Sequence, residues 1–110
     1  MIAWLKKLLS PTAAPSLPAG TLLLDVREPQ EYAAGHAPGA INIPLPQLGS
    51  QIPRLQANQP PALLLYCASG MRSAAACRQL QQAGFRQVYN ARTRQQAAAW
   101  LAQASSPDKP

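Results

Sequence analysis

Short apolar runs alternate along the chain with stretches of helical period, and each change of period is marked by Gly or Pro. Thr21 to Val26 predicts a first strand. Pro29 suits the first turn of a helix, Glu28 and Glu31 place negative charge at its positive end, and Gly35 closes it. Ala40 to Ile43, between Pro38-Gly39 and Pro44, predicts a second strand. A helical stretch follows from roughly Leu45 to Leu55, with Pro53 expected to limit its length. Leu63 to Tyr66 is an unbroken apolar run ending at Cys67, the pattern of a central strand buried on both faces. A helix over Met71 to Ala83 puts Cys77 and Leu80 on one side, Gly84 closes it in the left-handed conformation, and Phe85 packs back. Gln87 to Asn90 predicts another strand, and Thr93 to Ala104 a last helix with Trp100 turned inward. There are no internal repeats. The alternation predicts an α/β fold, an open parallel sheet of four to five strands with helices on both faces.

The ends do not follow this pattern. Residues 1–10 align Ile2, Leu5 and Leu9 away from Lys6 and Lys7, which predicts a short helix that packs on the domain, frays, or makes a weak membrane-surface contact. Three prolines between Pro11 and Pro18 sustain neither helix nor paired strand, so residues 1–16 read as a short helix with a linker. The domain proper is expected over residues 17–104, and residues 105–110 as a disordered tail.

A chain of 110 residues builds one domain, and an apolar fraction of 47% with only 5% aromatic residues makes its core aliphatic. Net charge is +6, and its distribution matters more than its size. No Asp or Glu occurs between Glu31 and Asp108, whereas Arg54, Arg72, Arg78, Arg86, Arg92 and Arg94 all fall in that interval. The later part of the domain should attract anions. Without a basic stripe interleaved with exposed aromatics, nucleic acid is not expected as a partner. Two cysteines and a single histidine are too few for a disulfide framework or a structural zinc site, so no metal or cofactor is expected. With no apolar run long enough for a secretory signal or a membrane span, the expectation is a reduced, cytoplasmic monomer.

The chemically informative segment is Cys67-Ala68-Ser69-Gly70-Met71-Arg72-Ser73, set between the buried strand and the helix after it. Beyond the carboxyl ends of strands in an open parallel sheet, unpaired amides converge at helix N-termini. Small residues and Gly70 let the loop curl so that successive N–H groups surround the sulfur and favour the thiolate. A thiol so placed needs no histidine base, and Arg72 on the first helical turn points a cation at the negative end of a substrate. Cys77 reads as a core residue, because six positions into the helix lie about 9 Å along its axis, out of disulfide reach of Cys67. Asp25 and Arg27, at the end of the first strand, either brace the loop from behind or form a local ion pair. His36, alone in a turn, reads as a structural hydrogen-bonding residue.

The Cys67 to Ser73 segment resembles the active-site loop of single-domain rhodaneses. Asp25-Val26-Arg27-Glu28, followed by Glu31-Tyr32 and by Gly35-His36-Ala37-Pro38-Gly39-Ala40-Ile41-Asn42-Ile43-Pro44, is similar to two upstream signatures of that family in the same order. The match spans roughly residues 21–90. It implies a rhodanese-like fold and a thiosulfate-type sulfurtransferase, in which Cys67 takes a sulfane sulfur from a small anionic donor and holds it as a persulfide. Cyanide, a thiol or a protein then removes it. By the same resemblance Ala68, Ser69, Gly70, Met71, Arg72 and Ser73 are substrate-binding, with the loop amides around the persulfide and Arg72 on the anionic group. The spacing is Cys-X4-Arg, whereas related phosphatases use Cys-X5-Arg. A non-catalytic binding module is the main rival reading, and a phosphatase or arsenate reductase the weaker one. One departure stands out: family members usually carry a Gly-Gly pair before the last helix, where this chain has Asn90-Ala91-Arg92-Thr93-Arg94. Those side chains narrow the pocket mouth, or the two arginines recruit an anionic donor.

Overall fold

The computed structural model describes residues 14–104. Four strands, β1 (Leu22–Asp25), β2 (Ile41–Asn42), β3 (Leu63–Tyr66) and β4 (Val88–Arg92), form one all-parallel sheet in the order β2-β1-β3-β4. Among the described residues the α-helices are α1 (Pro29–Ala34), α2 (Leu48–Asn58), α3 (Met71–Gln82) and α4 (Arg94–Ala104). The chain moves outward from β1 to β2, then returns through α2 to β3 on the other side of β1. That reversal opens a crevice at the carboxyl ends of β1 and β3, the place where ligands bind in open parallel sheets.

Alternation along the strands divides the core in two. Leu24, Val26, Leu63, Leu65, Cys67 and Val88 face α2 and α3, meeting Leu48, Leu55, Ala76, Cys77 and Leu80. Leu23, Leu64, Tyr66 and Ala91 face the other way, against Ala37, Ala40, Ala97 and Trp100, with Tyr32 of α1 at the margin. Each fully buried leucine contributes about 1.5–3 kcal/mol of apolar burial. Every residue of β3 is buried, which explains its lack of polar alternation. Ala14 and Leu17 also pack on the α4 side, so ordered contact begins ahead of the first strand. The helix expected over residues 1–10 and the tail at 105–110 lie outside the described residues.

The helix ends follow local rules. Pro29 opens α1, and the Glu31 carboxylate accepts the Glu28 N–H at 2.9 Å. After α3, the Gly84 N–H donates to the Gln81 carbonyl and the Phe85 N–H to that of Leu80, with Gly84 at φ 105°. Phe85 packs against the core beside them.

Pro53 does not limit α2. A 3-10 turn at Leu45–Gln47 leads into the helix, which runs through Pro53 to Asn58. Leu48 and Leu55, on either side of the proline, are both buried against the sheet. Their burial offsets the single hydrogen bond to Gly49 that a proline at position 53 forgoes. The stop comes later, where Gln59 turns left-handed before Pro60 and Pro61.

β4 continues past Asn90 to Arg92 through a bulge: Leu65 pairs with Asn90, Tyr66 with Arg92, and Ala91 is the extra residue. Arg92 adopts φ 75°, a left-handed conformation that costs a non-glycine residue on the order of 1 kcal/mol. Two hydrogen bonds hold it there, the Arg92 N–H to Asn90 Oδ1 at 2.9 Å and the Cys67 N–H to the Arg92 carbonyl at 3.2 Å.

Candidate active site

Cys67 follows β3 directly and is 2% exposed. The chain then turns through Ala68 and Ser69 to Gly70, at φ 101°, and enters α3. This bend brings the Gly70 N–H to 3.0 Å and the Ser73 N–H to 3.4 Å from Sγ, with Ser73 Oγ at 3.3 Å. Burial alone raises a thiol pKa. Here the Ser73 hydroxyl and the backbone amides of Ser73, Gly70 and Ser69 outweigh burial and bring Cys67 down from 9.0 to about 7.

Asn90 enters this network from β4. Its Oδ1 accepts the Arg92 N–H and its Nδ2 donates to the Gly70 carbonyl at 3.1 Å, so neighbours that can only donate or only accept fix the amide's orientation. The Ser73 hydroxyl donates to the same Oδ1 at 2.7 Å. A hydroxyl has one proton. While it points to Asn90, Ser73 accepts from the Cys67 S–H; once the thiol ionises, the hydroxyl must turn to Sγ to stabilise the anion. Asn90 therefore holds the Gly70 turn in place and competes for the Ser73 proton.

The ends of β1 and β3 carry a second polar cluster. Asp25 is fully buried and receives the Arg27 guanidinium through both oxygens, at 2.6–3.1 Å, and the Arg27 N–H at 2.9 Å. The Tyr66 hydroxyl donates to Asp25 Oδ2 at 2.7 Å and accepts the Ala37 N–H at 3.0 Å. Burial would raise the Asp25 pKa, but the bonds from Arg27 and Tyr66 prevail and lower it. Arg27 also donates to the Gly35 carbonyl at 2.7 Å. The pair is thus buried, and it ties β1 to Tyr66, the residue before Cys67, and to the turn after α1. Its hydrogen bonds reach the strand leading into the loop and none of residues 68–73. His36 lies in that turn, exposed, stacked on Tyr32 with Nδ1 at 2.9 Å from the Tyr32 carbonyl.

Arg72 turns towards α1. Its guanidinium meets Glu31 in a two-pronged ion pair at 2.7 and 3.1 Å, and this bond is the chief reason Glu31 falls to about 2. Met71 projects into solvent at 80% exposure. A cavity of about 200 Å³ opens over the sulfur, lined by Arg27, Glu31, Ala34, Gly35, Cys67, Ala68, Arg94 and Gln95. Cys67 and Ala68 are the loop residues in its wall; Ser69, Gly70, Met71, Arg72 and Ser73 lie outside it. Arg92 instead lays its side-chain stem across Gly70. A larger cavity of about 340 Å³, between β2 and α2, contains no nucleophile.

Sequence reasoning did not assign Asn90, Glu31 or Tyr66 to the site, and treated Arg94 only as one of two charges near the missing glycines. Asn90 carried a signal, as a polar residue on the inward side of a strand. Glu31 carried another, being one of only four acids in a chain rich in arginine. Among the described residues, no group of His, Cys, Asp and Glu could hold a metal ion, and no helix is long and apolar enough to cross a membrane.

Fold and site together define an open α/β domain with a cysteine at its switch point, inside a loop built to stabilise an anion on sulfur. The family model of the rhodanese-like domain matches residues 1–93, and the chain belongs to that family. It is 41% identical over 68 residues to an uncharacterized protein of Bacillus subtilis, YqhL, covering 62% of this chain and 52% of that one. With a sulfurtransferase of Allochromatium vinosum it shares 39% identity over 74 residues, 64% of each chain. A solved structure described as a rhodanese with anions from E. coli superposes with a TM-score of 0.63 at 32% identity, over 69% of this chain and 89% of that one. The match spans about half to two-thirds of the two curated relatives' length.

Proposed function

We propose that this chain is a sulfurtransferase that moves a sulfane sulfur from thiosulfate or a similar anionic donor to a thiophilic acceptor through a Cys67 persulfide. The observation that carries the reading is the convergence of the Ser73 hydroxyl and loop amides on Cys67 Sγ, which brings the thiol to about 7 without a neighbouring histidine. About half the cysteine is then thiolate at neutral pH. The name of the Allochromatium relative supports the same chemistry.

In the first half-reaction the Cys67 thiolate attacks the outer sulfur of thiosulfate. A new S–S bond forms, the donor's own S–S bond breaks, and sulfite leaves with the electron pair. The products, a persulfide anion and sulfite, carry the same total charge as the reactants. The persulfide places its negative charge one atom further out, beside Ala68 and the cavity. In the second half-reaction cyanide, a thiolate or a protein thiolate takes the terminal sulfur and returns Cys67 as thiolate. Six residues from Cys67 to Arg72 make a tighter loop than the Cys-X5-Arg phosphate cradle, which favours attack on sulfur over phosphorus.

Intact mass spectrometry of the reduced protein after exposure to thiosulfate, with sulfite followed in parallel, tests the proposal. The expected result is a gain of one sulfur atom in the native protein and none in Cys67→Ser. A folded protein with a free Cys67 that gains no sulfur from thiosulfate or any other sulfane donor overturns the reading in favour of a binding module.

A further inference from the structure

Three arginines approach the Cys67 cavity, and they differ in what already neutralises them. Arg27 is held by buried Asp25, and Arg72 by Glu31. Arg94, the first residue of α4, lines the cavity with Cys67, yet among the described residues its guanidinium has neither a carboxylate partner nor a hydrogen-bond acceptor. It is half-buried. A half-buried guanidinium has lost part of its hydration without gaining a counter-ion, so an anion entering the cavity finds its strongest uncompensated attraction there.

The backbone opposite makes room for it. Gly35 sits at φ 151°, and a side chain at that position would collide with the Arg94 guanidinium. The Gly35 carbonyl is anchored from behind by Arg27, so the wall against which Arg94 lies is held in place. Arg72 has no such opening, because it would first have to leave a two-pronged pair with Glu31.

We infer that Arg94 is the anion anchor of this domain, gripping the charged oxygens of an oxyanion-terminated sulfur donor while Cys67 attacks the sulfur at the other end. This rests on the sulfur-transfer reading and deepens it by naming the residue that selects the donor class. Sulfonate-bearing donors are preferred, and uncharged ones lack the contact. Arg72 then holds α1 to α3 through Glu31 in the free protein.

Alkylation of Cys67 tests the anchor independently of sulfur transfer. Iodoacetate and iodoacetamide are nearly the same size, and one carries a carboxylate. Their rates at Cys67, located by peptide mass, are compared in the native protein, Arg94→Gln, Arg94→Lys and Arg72→Gln. Arg94→Gln should slow iodoacetate roughly tenfold while iodoacetamide stays within about twofold, and Arg94→Lys should restore part of the difference. Thiosulfate-dependent sulfite release should show KM raised about tenfold in Arg94→Gln with kcat within about twofold, the signature of lost binding. Equal slowing of both reagents, no change in either, or a larger change in Arg72→Gln than in Arg94→Gln would overturn the anchor. Charge discrimination without sulfite release from the native protein would uphold the anchor and remove thiosulfate as donor.

Discussion

Cys67 and Cys77 belong to one buried cluster, on the same side of the sheet, and burial pushes both thiols up. They separate over hydrogen-bond donors. Cys67, at a strand end, meets the Ser73 hydroxyl and amides that no helix or strand has used, and falls to about 7. Cys77, within α3, has neighbouring amides committed to the helix and only the charge of Arg78 against burial, so it rises to about 11. Hydrogen-bond donors left free where regular structure begins, here the Ser73 hydroxyl with the first backbone N–H groups of α3, decide which buried thiol ionises near neutral pH.

The largest test of this contrast is replacement. Cys67→Ser should lower sulfur transfer by at least ~10⁴-fold, as loss of a covalent nucleophile does, whereas Cys77→Ala should stay within about twofold, both read as sulfite release. Comparable losses would break the comparison. Next in size is reactivity: at neutral pH iodoacetamide should modify Cys67 roughly 10²-fold faster than Cys77, the gain in thiolate fraction being partly offset by the weaker intrinsic nucleophilicity of the more acidic thiolate. Site-resolved mass spectrometry over time reads this directly.

Stability should carry the same signature with opposite signs. Between pH 7 and 9 the folded chain has lost the Cys67 proton that the unfolded chain still binds, so stability rises with pH. Between pH 9 and 11 the folded chain keeps the Cys77 proton that the unfolded chain has lost, so stability falls. Each contribution is on the order of 2 kcal/mol. In denaturant titrations across this range, Cys67→Ala should remove the rise and Cys77→Ala the fall. The smallest effect concerns one donor: Ser73→Ala should move the alkylation profile of Cys67 up by about one pH unit, because a hydrogen bond to the thiolate is lost. An unchanged profile would mean that the hydroxyl stays with Asn90 and the backbone amides act alone.

Much of the fold was legible because its signals are local. The unbroken run Leu63 to Tyr66 has the pattern of a doubly covered strand, and Gly70 and Gly84 mark the two ends of α3. Pro53 misled for the converse reason: its penalty is local, while the burial of Leu48 and Leu55 that overrides it comes from the sheet. The site divided in the same way. Cys67, Gly70 and Ser73 lie within seven residues of one another, whereas Glu31 and Arg72 are separated by 41 positions and Asn90 reaches Ser73 only across neighbouring elements.

By itself the amino-acid order determined the sequence of elements, the family's three ordered motifs and the loop that lowers the Cys67 thiol, since backbone geometry and hydrogen bonding over a few residues suffice for each. Tertiary structure alone decided that Arg72 pairs with Glu31 and that Arg94 has no carboxylate among the described residues, whereas the Asp25–Arg27 pair is local. Four acids cannot neutralise ten basic residues, and which guanidinium is left without a carboxylate depends on where the strand ends converge. Charge interactions follow distance in space, and residues far apart in the chain, Gly35 and Arg94 among them, come together only when the sheet closes its switch point.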